Sequence, residues 1–122
     1  MLPLAGLRWE NSFARLPEAF HQRVSPTPLP NPYLVAFNPD AAALLDLDPA
    51  AAGTAEFLAV MSGSGQLTGM DPLAAIYAGH QFGVWVPELG DGRAILLGEV
   101  MTATEQRWEV QLKGAGMTRF SR

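Results

Sequence analysis

Lys113 is the single lysine of a chain whose other seven cations are all arginine. An ammonium is a compact point charge suited to a phosphate oxygen, and a generic surface cation in this chain is more readily arginine. The competing reading is a solvated strand-edge lysine that discourages edge pairing. Upstream, Gly90-Asp-Gly-Arg93 joins two glycines to a planar, permanently charged fork. Glycines let backbone N–H groups approach an anion without side-chain obstruction, and a guanidinium matches phosphate. Asp-Gly is equally a common hairpin turn. Lys113-Gly-Ala-Gly116 puts flexible backbone directly after the lysine. His80 reads as a hydrogen-bonded structural histidine before it reads as a catalyst. Asp91, Glu99 and Glu109 are carboxylates to which spacing alone assigns neither a metal nor a proton.

Three regions must position these groups. Residues 1–37 form an N-terminal segment in which Leu16, Phe20 and Val24 stand at helical spacing. Pro26, Pro28, Pro30 and Pro32 then block helix and favour a stiff extended connector. It leads into Tyr33–Phe37, expected as a buried strand. Residues 38–83 read as short helices. Asn38 caps the first with Pro39 at its first position, Ala41, Leu44 and Leu45 inward and a stop near Pro49. Thr54 caps a second carrying Phe57, Leu58 and Met61, ended by Ser62-Gly-Ser-Gly65. Asp71-Pro72 begins a third with Leu73, Ile76 and Tyr77 on one stripe. Residues 84–122 read as strands: Val84–Val86, a Pro87–Gly92 turn, a buried Ala94–Met101, and Trp108, Val110 and Leu112 alternating with Glu109, Gln111 and Lys113. That period of two sends Lys113 to the face opposite the apolar side chains. The predicted class is α+β, with short helices followed by an antiparallel sheet and a glycine loop. The order of glycine turn, strand, hairpin and strand ending on lysine is that of a kinase-like N-lobe. The glycine-loop spacing is met only in part, since Ile95 replaces the third glycine and the next is Gly98.

Eight basic and twelve acidic residues among 122 give a net charge of −4. That balance excludes the broad basic surface that nucleic acid needs and a polybasic membrane tether. Hydrophobic residues at 48% and charged residues at 16% are too apolar for a disordered chain. Without cysteine there is no disulfide framework or thiolate metal site, and His21 and His80 alone do not supply zinc ligands. No apolar run approaches the ~20 residues that cross a bilayer. A cytoplasmic protein without membrane or nucleic-acid partners is expected.

Six segments in a fixed order give a sharper indication. Asn11-Ser-Phe-Ala-Arg-Leu-Pro17, Pro26-Thr-Pro-Leu-Pro30, Tyr77-Ala-Gly-His-Gln-Phe-Gly83, Leu89-Gly-Asp-Gly-Arg-Ala94, Leu97-Gly-Glu99 and Gln111-Leu-Lys-Gly-Ala-Gly116 together resemble the selenoprotein O family. Its members are protein adenylyltransferases with a pseudokinase fold. The resemblance implies transfer of AMP from ATP to Ser, Thr or Tyr hydroxyls of proteins, with ATP flipped relative to ordinary kinases. By position, it makes Gly90, Gly92, Arg93 and Lys113 the nucleotide-binding residues. The family's catalytic aspartate and magnesium-holding Asn and Asp are expected beyond Arg122, with no catalytic residue and no metal ligand within this stretch. The chain is therefore expected to be an incomplete kinase-like domain, the N-terminal fragment of such an enzyme and inactive alone. The family's Thr-Pro-Tyr-Ser-Arg stands here as Thr118-Arg-Phe-Ser-Arg122, with Arg119 in place of a turn-setting proline. The alternative from another class is a non-enzymatic nucleotide- or protein-binding module with a kinase N-lobe-like fold.

Overall fold

A computed structural model describes residues 1–122. The elements run β1 (His21–Arg23), α1 (Pro39–Leu44), α2 (Ala55–Met61), β2 (Leu73–Ala75), β3 (Gly79–Gln81), β4 (Val84–Val86), β5 (Ala94–Met101) and β6 (Arg107–Lys113). Short 3-10 turns lie at Leu4–Gly6, Phe13–Arg15, Glu18–Phe20 and Pro49–Gly53. The class is α+β. β1, β2, β5 and β6 form one antiparallel sheet in that order, and β3 and β4 pair as a separate hairpin. That hairpin sits inside the long connection, residues 76–93, that leads from β2 to its sheet neighbour β5. No helix is long and apolar enough to cross a membrane.

β5 is the strand around which the core assembles. Its residues 94–100 are all buried, because it is flanked on both edges. β6 pairs along one side. β2 and the N-terminal segment share the other, through Leu73 opposite Leu96 and an antiparallel bridge from Trp9 to Val100. Ile95, Leu97 and Val100 face the main core with Leu4, Leu47, Phe57, Val60 and Met70. Leu96 faces the other way, onto Leu73, Ala14 and Phe13.

Strict alternation along β5 would have put Glu99, not Val100, into the main core. The register slips between Leu96 and Gly98, and a bulge of one residue inverts the parity of everything after it. Glu99 thereby reaches the N-terminal segment. Gly98 makes room for this: a Cβ there would lie 2.5 Å from Asn11 Oδ1 and 2.7 Å from the Trp9 ring. Gly98→Ala is therefore expected to destabilise the fold by about 2 kcal/mol, the usual cost of overpacking. The check is a lower denaturant midpoint at unchanged slope.

The helix caps form as expected. Asn38 Oδ1 accepts from the amides of Asp40 at 2.9 Å and Ala41 at 3.3 Å, and Thr54 Oγ1 accepts from Phe57 at 3.1 Å. Four expectations fail. The Leu16–Val24 stretch is not a helix, because Pro17 drives Leu16 into extended backbone (ψ 160°) and the chain then pairs as β1. Tyr33–Phe37 is not a buried strand. It finds no partner, and Tyr33 and Val35 are 78% and 83% exposed. α1 ends at Leu44, with Asp46 at φ +62°, so it buries Ala42 where Ala41 and Leu44 were expected. Asp71-Pro72 starts no third helix. Asp71 instead takes Arg23 at 3.0 and 3.1 Å, and Leu73–Ala75 is drawn between β1 and β5.

Candidate functional site

Antiparallel register decides where Lys113 goes. Its Cα lies opposite Ala94, and the amide of Gly114 donates to the Arg93 carbonyl at 2.8 Å. The strand-end lysine thus stands next to the end of the glycine turn. Leu112 packs against the core, so Lys113 projects from the opposite face and is exposed. Gly90, Gly92, Arg93 and Lys113 all line one cleft of about 330 Å³, together with Tyr77, Gln81, Leu89 and Phe120–Arg122. The chain's four ion pairs involve neither Arg93 nor Lys113. A second hollow, about 430 Å³ between residues 29–36 and α2, is lined without a single charged side chain.

The glycine turn is pinned from two directions. On the β2 side, the amides of Leu89 and Gly90 donate to Tyr77 O at 2.8 and 3.1 Å, and that of Asp91 to Ala75 O at 3.0 Å. The Asp91 carboxylate accepts from the Tyr77 hydroxyl at 2.8 Å and the Ala75 amide at 3.3 Å. Burial first, then this bond to Asp91, raises the Tyr77 phenol above its ordinary pKa. On the other side, Thr118 Oγ1 donates to Asp91 O at 2.5 Å and Ser121 Oγ donates to Gly92 O. Gly90 and Asp91 have thus spent their amides inside the protein. Those of Gly92 and Arg93 have no protein acceptor.

The other sequence candidates separate from this cleft. His80 is exposed on β3 with its ring 5.1 Å from that of its cross-strand partner Trp85, and the hydrogen bond expected of its side chain is absent. Glu99 is 3% exposed and lies under the N-terminal segment. Glu109 is exposed opposite it. Tyr77, Phe120, Ser121 and Arg122 were missed as cleft residues. Hydroxyls beside an aromatic, soon after a flexible Gly-Ala-Gly, were the available signal. No group of three or more His, Asp or Glu side chains converges anywhere. Asp91, the cleft's carboxylate, is already committed to Tyr77 and Ala75. These residues therefore do not fit a magnesium site.

Residues 3–122 match the family described as protein adenylyltransferase SelO. The chain belongs to the SelO family. A protein nucleotidyltransferase YdiU of Thioalkalivibrio sulfidiphilus is 61% identical over all 122 residues, which make up 25% of that relative. Those of Thiobacillus denitrificans and Myxococcus xanthus are each 55% identical over the same 122 residues, again 25% of their length. The chain spans about a quarter of the length of these SelO-family relatives.

Proposed function

We propose that the cleft binds the phosphates of ATP, and that the SelO-family protein carrying it transfers AMP to Ser, Thr or Tyr hydroxyls of other proteins. The observation that carries this reading is the Ala94–Lys113 register, which stands the lone lysine beside two unspent amides and a free guanidinium. Fixed cations and preoriented N–H groups stabilise charge that grows on phosphoryl oxygens without reorganising during the reaction. The sheet order supports a kinase-like N-lobe. β2, β5 and β6 are consecutive antiparallel neighbours, the glycine turn precedes the second, and Lys113 ends the third.

In the transfer, the acceptor hydroxyl oxygen bonds to the α-phosphorus. The bond from that phosphorus to the oxygen bridging the β-phosphate breaks, and pyrophosphate departs with the electron pair. The hydroxyl proton needs a base, and the resemblance to the selenoprotein O family puts the catalytic aspartate beyond Arg122. Base and magnesium ligands are accordingly assigned to the rest of the protein, and these 122 residues alone are expected to transfer nothing. The test supplies the longest native polypeptide containing them with ATP labelled at the α- or the γ-phosphate. Protein-bound label from the α position only is expected. Transfer of γ-label makes the protein a phosphotransferase, and ATP binding with no transfer makes it a nucleotide-binding module.

A further inference from the structure

The two glycines of the turn are not bare toward a ligand. A Cβ on Gly90, which sits at φ +61°, would lie 2.5–2.7 Å from carbons of the Phe120 ring, and one on Gly92 would lie 3.0 Å from the Phe120 carbonyl oxygen. The space where side chains are missing is filled by the chain's own 118–122 segment. That segment grips the turn at several points. Besides the Thr118 and Ser121 hydroxyls on the Asp91 and Gly92 carbonyls, Arg119 pairs with Glu88 and Arg122 Nη2 donates to Leu89 O at 3.3 Å. Phe120 is itself buried, and Arg119 lies 4.8 Å from its ring centroid.

We infer that Phe120 and Ser121 are positioning residues for the nucleotide cleft, holding the Gly90–Gly92 turn in the conformation that leaves the Gly92 and Arg93 amides unspent beside Lys113. A turn with two glycines has much backbone freedom to lose on binding, and ordering it opposes association. If ligand binding had to order it, phosphate affinity would fall. Phe120 and Ser121 order it beforehand, which is preorganisation in the sense that improves affinity without adding a contact. Gly90 is required here because the ring occupies its side-chain space, and positive φ is where glycine is at no disadvantage. Ser121 acts on the next peptide by fixing the Gly92 carbonyl, and with it the direction of the Arg93 amide in the same peptide unit.

This inference rests on the nucleotide reading of the cleft, and the test separates the two. In the longest native polypeptide, KM for ATP, KM for the protein acceptor and kcat are measured for wild type, Phe120→Ala, Phe120→Tyr, Ser121→Ala, Ser121→Thr and Lys113→Ala. Amide exchange over residues 88–93 and melting temperature are followed in parallel. Phe120→Ala and Ser121→Ala are expected to raise KM for ATP about tenfold and to speed exchange in the turn, leaving acceptor KM near wild type. Phe120→Tyr and Ser121→Thr, which keep the ring and the hydroxyl, are expected to restore both. The inference is overturned if Lys113→Ala disables ATP use while both alanine variants keep wild-type ATP KM. It is equally overturned if they lose kcat and melting temperature alone, the mark of a merely structural role. If Lys113→Ala changes nothing, the nucleotide reading itself falls and takes the inference with it.

Discussion

Lys113→Ala in the full native polypeptide is expected to slow the proposed AMP transfer by about 100- to 1,000-fold, the usual cost of deleting one charge from a phosphoryl or oxyanion site. Its melting temperature should hardly move. The ammonium is exposed at the end of β6 and forms no hydrogen bond or ion pair within the chain. Truncating it strands no partner, and surface substitutions of that kind usually stay within about 0.5 kcal/mol. Lys113→Arg should rescue little. A guanidinium is broad and planar, and Arg93 already occupies the adjoining side of the same cleft. Initial rates at saturating ATP beside thermal melts decide the matter. A rate unchanged in Lys113→Ala, or one falling only as the folded fraction falls, would reduce the residue to a solvated strand end.

Lys113 and the glycine turn could be singled out from sequence because their chemistry is local in type and their elements are local in pattern, but only the resemblance to the selenoprotein O family made them nucleotide-binding residues. β6 alternates cleanly, β5 is an apolar run, and a register between neighbouring strands then has to bring Lys113 near Arg93. The two helices were legible through Asn38 and Thr54 for the same reason, since a cap is a bond across three residues. The failed third helix turns on partners far along the chain. Leu73, Ile76 and Tyr77 have spacing that fits a helix, and Asp71-Pro72 looks like its start. What overrides this is Arg23 on Asp71 and the Leu96 backbone opposite Leu73, neither visible within a window of local sequence. The wall of the cleft supplied by Phe120 and Ser121 was hidden likewise. Its hydroxyl and ring act on glycines that sequence reasoning had assigned to the ligand, and only the Cβ clearances reveal who uses the space.

The Gly98 bulge has the same long-range character, and its energetic consequence is measurable at Glu99. The side chain is 4% exposed, yet it accepts from Ser12 Oγ at 2.6 Å, the Phe13 amide at 2.8 Å and Arg107 Nη1 at 3.3 Å. Arg107 also donates to the Glu10 carbonyl at 2.5 Å, so one carboxylate binds the N-terminal segment to both β5 and β6. Burial opposes its charge. The Phe13 amide, the Ser12 hydroxyl and Arg107 outweigh that and hold it below the ordinary glutamate pKa. Glu99→Ala leaves three donors facing a void and is expected to cost about 3 kcal/mol at neutral pH. That is a fall in melting temperature on the order of 10 °C. Arg107→Ala should cost less, about 1 kcal/mol, since its side chain is 33% exposed and solvent screens the pair. The pH dependence follows from the direction of the shift. Ionised Glu99 favours the folded state at every pH above the unfolded-chain value, about 4.3. That contribution is lost as pH falls through the lower folded value. Denaturation midpoints of wild type and Glu99→Gln, an uncharged near-isostere, should differ at pH 7 and draw together as pH falls from the unfolded-chain value, about 4.3, through the lower folded one. A gap that stays constant into acid would mean that Glu99 stabilises the fold by its shape and not by its charge.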